Sequence, residues 1–273
     1  MAASARLPHN PILAAVRFAG LIACIVLGYA NLLLVRPFHR PGPARRRLQE
    51  RLIHRWLGSY ARIFGFRVTV EGAIPHPSSL IPATGGLLAP NHLGYADIAV
   101  MASIMPCQFV TRGEFLRAPV AGRILRDYGV PAVERARTRG VSDLPGEIAE
   151  RLRTGTRLCV FLEGTSTGGD RVLPFRSPIL QGVVAAGAPV IPVAILWSHA
   201  DPRALIAEDL AYWKDHEMLP HVWRLLGLRG YAARVILGQP IPTGGADRKQ
   251  VAAAAREAVV ALTGLPAMGP EAQ

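Results

Sequence analysis

The sequence predicts an α/β fold: a largely parallel sheet flanked by helices, behind an N-terminal membrane-associated helical segment. Three observations predict it. After residue 65, short apolar runs alternate with helical patterns, as in strands joined by crossover helices. Residues 18–35 carry no charged side chain. The 273-residue chain is also both apolar and basic, 50% hydrophobic and 18% charged, with 31 Lys+Arg against 19 Asp+Glu. A chain of that length buries a substantial core, and its composition excludes disordered, collagen-like and disulfide-scaffold classes. A formal charge of +12 on an apolar chain points to a membrane surface, an anionic lipid or a nucleic acid as partner.

The N-terminal element comes first. As a helix, the uncharged run Phe18–Val35 is about 27 Å long, close to the hydrocarbon thickness of a bilayer. Arg17 is placed to snorkel at one end. Arg36, Arg40, Arg45, Arg46 and Arg47 follow the run, whereas Arg6 and Arg17 precede it. That imbalance puts the main domain on the cytoplasmic side of the inner membrane. A signal peptide and a buried core helix are the competing readings. The basic cluster directly after the run and the lack of a small-residue cleavage site oppose the first.

Residues 44–64 read as an amphipathic helix. Leu48, Leu52, Trp56, Tyr60 and Ile63 share a stripe, with Arg47, Arg51, Arg55 and Arg62 elsewhere on its surface. Such a helix either lies on an anionic membrane or packs on the domain. A Pro-, Gly- and Ser-rich loop occupies 71–85. Strands are expected at 66–70, 86–90, 107–111, 130–134, 157–162, 189–196 and 231–237. Helices are expected at 97–105, 119–127, 143–153, 178–187 and 247–263. Residues 1–64 thus form an anchor and residues 65–273 one catalytic-sized domain. Cys24, Cys107 and Cys159 sit among apolar neighbours without CxxC spacing, so neither a disulfide framework nor a zinc site is indicated.

In sheets of this kind, functional groups gather at the carboxyl ends of strands. Two segments fit. In the first, Asn91-His92 follows the strand at 86–90, and Asp97 lies five residues beyond the histidine. On one continuous helix these two side chains would point some 140° apart, since each residue turns about 100°. They meet only if His92 sits in a turn and Asp97 on the following helix. A histidine whose second nitrogen bonds a carboxylate is a general base held in one tautomer. The second segment, Gly164-Thr165-Ser166-Thr167-Gly168, has the spacing of a nucleophile elbow. It suits a serine hydrolase completed by His199, His216 or His221, although the loop-like residues after it are not helical. The same loop also suits an anion nest.

Together the segments resemble the phospholipid/glycerol acyltransferase family. Asn91-His92 with Asp97 is similar to its first block. Glu114, Phe115, Pro119 and Gly122, continuing to Gly129 and Glu134-Arg135, are similar to the second. Phe161-Leu162-Glu163-Gly164-Thr165 resembles the third, and Val190-Ile191-Pro192-Val193 the fourth. Leu162 replaces the usual proline, Ser166 stands where an Arg or Lys commonly follows, and Arg112 is the nearest cation to the second block's usual lysine. Residues 163–177 are more similar to bacterial members that acylate lyso-ornithine lipid.

The resemblance implies O-acyl transfer from acyl-CoA or acyl carrier protein to the hydroxyl of a lysolipid, such as 1-acylglycerol-3-phosphate or lyso-ornithine lipid. No covalent enzyme intermediate, cofactor or metal is implied. His92 would remove the acceptor proton and Asp97 would orient the imidazole. Asn91, Glu163, Gly164, Thr165 and Ser166 would line the acceptor site, and Arg135 would bind a phosphate. A nucleic-acid binder is the non-enzymatic rival. It would need aromatic residues interleaved on a cationic face, whereas the arginines cluster beside the apolar run.

Overall fold

The computed structural model describes residues 7–38, 42–72, 85–133 and 144–268. The chain opens with α1 (Pro11–Val35) and α2 (Pro43–Phe64). Proline begins both helices, where a missing N–H costs nothing. Asn10 Oδ1 accepts the Leu13 N–H at 2.9 Å, and Gly65, left-handed at φ 76°, ends α2.

The remaining elements run β1 (Arg67–Gly72), β2 (Gly86–Pro90), α3 (Tyr95–Ile104), β3 (Gln108–Phe109), β4 (Thr111–Arg112), α4 (Gly113–Arg117) and α5 (Ala121–Asp127). Then follow β5 (Ala132–Val133), α6 (Leu144–Arg153), β6 (Arg157–Cys159), α7 (Leu180–Ala186) and β7 (Val190–His199). A turn of π-helix at Ile206–Leu210, α8 (Met218–Gly227), β8 (Tyr231–Leu237) and α9 (Arg248–Thr263) close the chain.

Six strands form one sheet in the order β1-β8-β7-β2-β6-β3, and β4-β5 form a separate parallel pair. Every pairing in the large sheet is parallel except β7 with β8. Strand β2 is central and buried along all five residues, as expected of a strand covered on both faces. Its alternation sends Leu88 into a core shared with Ile53, Phe64, Val100, Met101 and Val193. Leu87 faces the opposite core, with Ile148, Leu180, Val190 and Ala255.

Several expectations are corrected by packing. The single strand expected at 107–111 divides. Phe109 pairs with Cys159 in the main sheet, while Thr111 leaves it to pair with Ala132. The strand expected at 157–162 ends as a ladder at Cys159, and the next residues turn into the site. Helices α4 and α8 were not anticipated.

Arg17 does not snorkel. Its guanidinium donates to the carbonyls of Leu226 at 3.0 Å and Leu228 at 2.6 Å, completing the C-terminal end of α8. Helix α2 packs on the domain, with Gly58 so close to Ala102 and Ser103 of α3 that a methyl group would fall 2.9 Å from the Ala102 carbonyl. Helix α1 keeps one face on the domain through Ala14 and Leu32, while Ile12, Val16, Val26, Leu27 and Leu34 are exposed along the other. A buried core helix is thereby excluded.

Candidate active site

The carboxyl ends of β2 and β6 carry the two segments singled out by the sequence. β2 stops at Pro90 beside Val193, and the next residue prolongs the pairing with its side chain. Asn91 Nδ2 donates to the Ile195 carbonyl at 3.1 Å, and its Oδ1 accepts the Ile195 N–H at 2.7 Å. The buried carboxamide therefore imitates a strand residue. It fixes where the following turn begins, with both its polar atoms committed to the Ile195 backbone.

His92 occupies that turn and Asp97 the first turn of α3. The ring Nδ1 lies 3.1 Å from Asp97 Oδ2; the histidine side chain is 18% exposed and the aspartate side chain 0%. The same Oδ2 accepts the N–H groups of Leu93 at 2.5 Å and Gly94 at 3.0 Å. Oδ1 accepts the indole N–H of Trp197 at 2.8 Å. Four donors thus converge on one buried carboxylate, as a buried charge requires. Gly94, at φ 150°, is needed because a Cβ there would fall 2.8 Å from Tyr212 Cβ. The His92 ring stacks on Phe161, centroids 3.9 Å apart, and its Nε2 has no hydrogen-bond partner among the described residues.

Glu163 lies beneath this turn rather than in an acceptor site. Its side chain is fully buried. Oε1 accepts the His92 backbone N–H at 2.9 Å and Oε2 that of Leu173 at 3.0 Å. Burial pushes its carboxyl up to about 8. From the same loop, the Thr167 N–H donates to the His92 carbonyl at 2.9 Å.

Gly164, Thr165 and Ser166 form the exposed side of the loop. Gly164 takes φ 71°, and Arg112 donates to its carbonyl. Thr165, Ser166, Arg171, Arg176, Trp213 and Met268 line a cavity of about 290 Å³. The Ser166 hydroxyl donates to the Tyr212 carbonyl at 2.5 Å, and the Tyr212 N–H donates to Leu93 at 2.8 Å. No helix follows Ser166, so no nucleophile elbow forms.

The three candidate histidines for a hydrolase are committed elsewhere. His199 Nε2 lies 2.6 Å from the Arg229 carbonyl, and His216 stacks on His221. His221 Nδ1 meets the Tyr95 hydroxyl at 2.7 Å. Nothing here supports the serine hydrolase. Arg135 lies outside the described residues. Among those described, no group of three His, Cys, Asp or Glu is placed to hold a metal ion.

The sequence reading missed Trp197 and Tyr212, and named Thr167 within its loop without foreseeing its bond to His92. Trp197 and Tyr212 act from distant segments, and no spacing rule links residue 197 to residue 97.

A histidine held at one nitrogen by a carboxylate and open at the other is arranged to accept a proton from a hydroxyl. The chain is also similar to known acyltransferases. A family model described as Acyltransferase matches residues 67–196. Lyso-ornithine lipid O-acyltransferase from Pseudomonas aeruginosa is 32% identical over 259 residues, covering 94% of this chain and 95% of that protein. The protein of the same name from Brucella abortus is 31% identical over 222 residues, covering 77% and 81%. 1-acyl-sn-glycerol-3-phosphate acyltransferase from Neisseria meningitidis serogroup B is 26% identical over 151 residues, covering 55% and 58%. The crystal structure of the 1-acyl-sn-glycerophosphate acyltransferase from Thermotoga maritima superposes with a TM-score of 0.63 over 93% of this chain and 95% of that one. At 21% identity, that likeness speaks for the fold. With one relative 32% identical over 94% of this chain and 95% of its own length, the chain belongs to the acyltransferase family.

Proposed function

We propose that this acyltransferase moves a fatty acyl group from a thioester donor, acyl-CoA or acyl carrier protein, to the hydroxyl of lyso-ornithine lipid or a similar lysolipid lacking a phosphate monoester. The observation that carries the reading is the dyad, with Nδ1 of His92 on buried Asp97 and Nε2 open. The acceptor hydroxyl gives its proton to Nε2 as its oxygen attacks the thioester carbonyl. The tetrahedral intermediate then expels the thiolate. A new C–O bond replaces the C–S bond, and the proton on Nε2 passes to the departing sulfur. Asp97 stabilises the imidazolium between the two transfers.

Two observations support this acceptor. The relatives named for lyso-ornithine lipid match over 94% and 77% of the chain, against 55% for the Neisseria protein named for the phosphate acceptor. Residue 166 is a serine whose hydroxyl is spent on Tyr212. It lacks the cation that pairs with a phosphate, a charge-assisted bond of roughly 1.5–3 kcal/mol.

The membrane reading follows from α1. Polar contacts tie it to the domain near both ends: the Asn10 N–H donates to Gly227 at 3.1 Å, and the Tyr29 hydroxyl to Asp127 at 2.7 Å. The helix is long and apolar enough to cross a bilayer, yet these ties hold it against its own domain. It lies in the interface with its exposed apolar stripe among the acyl chains. Residues 1–64 then hold the membrane, on the cytoplasmic face of the inner membrane, and residues 65–273 carry the chemistry.

The test is to express the chain in a host that makes lyso-ornithine lipid and profile its lipids. Acylated product should accumulate with wild type. With His92→Ala, transfer should fall by about two to four orders of magnitude. A folded, fully active His92→Ala protein would overturn the mechanism. A strong preference for lysophosphatidate would overturn the acceptor.

A further inference from the structure

We propose that Trp197 is a positioning residue for acyl transfer: by holding the second oxygen of Asp97 it sets how firmly His92 keeps a proton. The inference rests on the dyad reading above, and extends it to a residue just beyond the segment 67–196 that matches the family model.

Asp97 distributes its partners unequally. Oδ2 takes His92 Nδ1 and two peptide N–H groups, whereas Oδ1 accepts the indole N–H of Trp197. Three donors hold the carboxylate from the Oδ2 side only. The indole at 2.8 Å holds it from the Oδ1 side and is the donor there that bears no direct relation to His92.

The donor itself is rigid. Trp197 lies on the part of β7 that continues past β2 and is held in register opposite Ala233 of β8. Phe66 meets the indole edge-on, centroids 4.8 Å apart, and is itself stacked on Phe64 at 5.2 Å. A tryptophan held this way presents its N–H without further loss of rotamer freedom.

Among the described residues, the titratable groups facing Asp97 are His92 from the turn, Glu163 from the loop after β6 and Cys159 from β6. Burial raises the carboxyl of Glu163 and the thiol of Cys159, so both favour their uncharged forms at neutral pH. A donor on Oδ1 stabilises the carboxylate and draws charge away from the oxygen facing His92. Without it, Asp97 binds the imidazolium more tightly. The neutral base then forms only at higher pH, and the proton is released less readily to the leaving sulfur.

The experiment uses the full chain in lipid vesicles, with a thioester donor and whichever lysolipid the wild type turns over. Trp197→Phe keeps an aromatic ring against Phe66 and removes the donor. Its kcat should fall by roughly ten- to a hundredfold, the scale of a hydrogen bond to a charge. KM should stay within about twofold, and the acid limb of the kcat/KM profile should move to higher pH by about half a unit or more. In an Asp97→Ala background the same change should cost nothing further, because the two residues act as a unit. Wild-type kcat and pH profile in Trp197→Phe would overturn the proposal. So would lost activity with an unmoved acid limb, or an equal loss in both backgrounds. Should Trp197→Phe fold poorly, the indole N–H resonance of the otherwise wild-type chain decides. It should lie downfield and move upfield in Asp97→Asn, and an unresponsive resonance refutes the contact.

Discussion

Glu163 holds His92 by its backbone, not by its ring: Oε1 accepts the His92 N–H at 2.9 Å while Oε2 accepts the Leu173 N–H at 3.0 Å. The acidic residue of the third block thus acts beneath the base. Burial shifts its carboxyl from an ordinary 4.5 to about 8, so the folded chain keeps a proton that the unfolded chain releases. Between those pH values the folded state binds more protons, and stability falls as pH rises. Glu163→Gln removes the titration. It places an amide N–H against a backbone donor, lowering stability by about 1–3 kcal/mol. Thermal melts across that window should give a flatter curve for the variant than for wild type. Parallel curves would exclude the linkage.

Asn91→Ala should strip both partners from the Ile195 backbone. Leaving two buried polar groups unpaired costs roughly 1–3 kcal/mol each, and the turn that carries His92 loses its footing. Melting temperature and kcat should therefore fall together, with Asn91→Asp restoring little because a carboxylate cannot donate to the Ile195 carbonyl. Wild-type stability in Asn91→Ala would contradict the clasp.

Ser166→Ala loses only a bond to the Tyr212 carbonyl, so most turnover should survive, within about tenfold. Ser166→Arg should raise kcat/KM for lysophosphatidate relative to lyso-ornithine lipid by roughly one to two orders of magnitude. Abolished turnover in the alanine variant would restore the serine as a nucleophile.

The attachment of α1 can be read by labelling. In a chain whose Cys24, Cys107 and Cys159 are replaced by alanine, single cysteines at Pro8 and Phe38 flank the helix. An impermeant maleimide should reach both from the cytoplasmic side of inverted vesicles. Labelling from opposite sides would establish a spanning helix instead.

Much of this fold was legible because its signals are local. Residues 86–90 read as a strand from a continuous apolar run, and α9 from its period; both stand where expected. The dyad was legible because His92 and Asp97 share one turn and helix. Trp197 was not, since its alignment with Asp97 depends on β8, a later segment whose Ala233 pairs opposite it. Arg17 misled for a similar reason. Beside an apolar run it looks like a snorkelling cation, and only the C-terminal carbonyls of α8, some two hundred residues away, show its use.

The antiparallel strand β8 also separates two ideas of a module. Residues 67–196 are the unit that recurs from protein to protein. As a physical object that unit ends in mid-strand, with Val193–Leu196 stripped of the neighbour that holds it. Grafting the motif-bearing segment onto another scaffold would therefore transplant the histidine and the aspartate but not their alignment. The smallest piece worth transplanting reaches at least through Leu237.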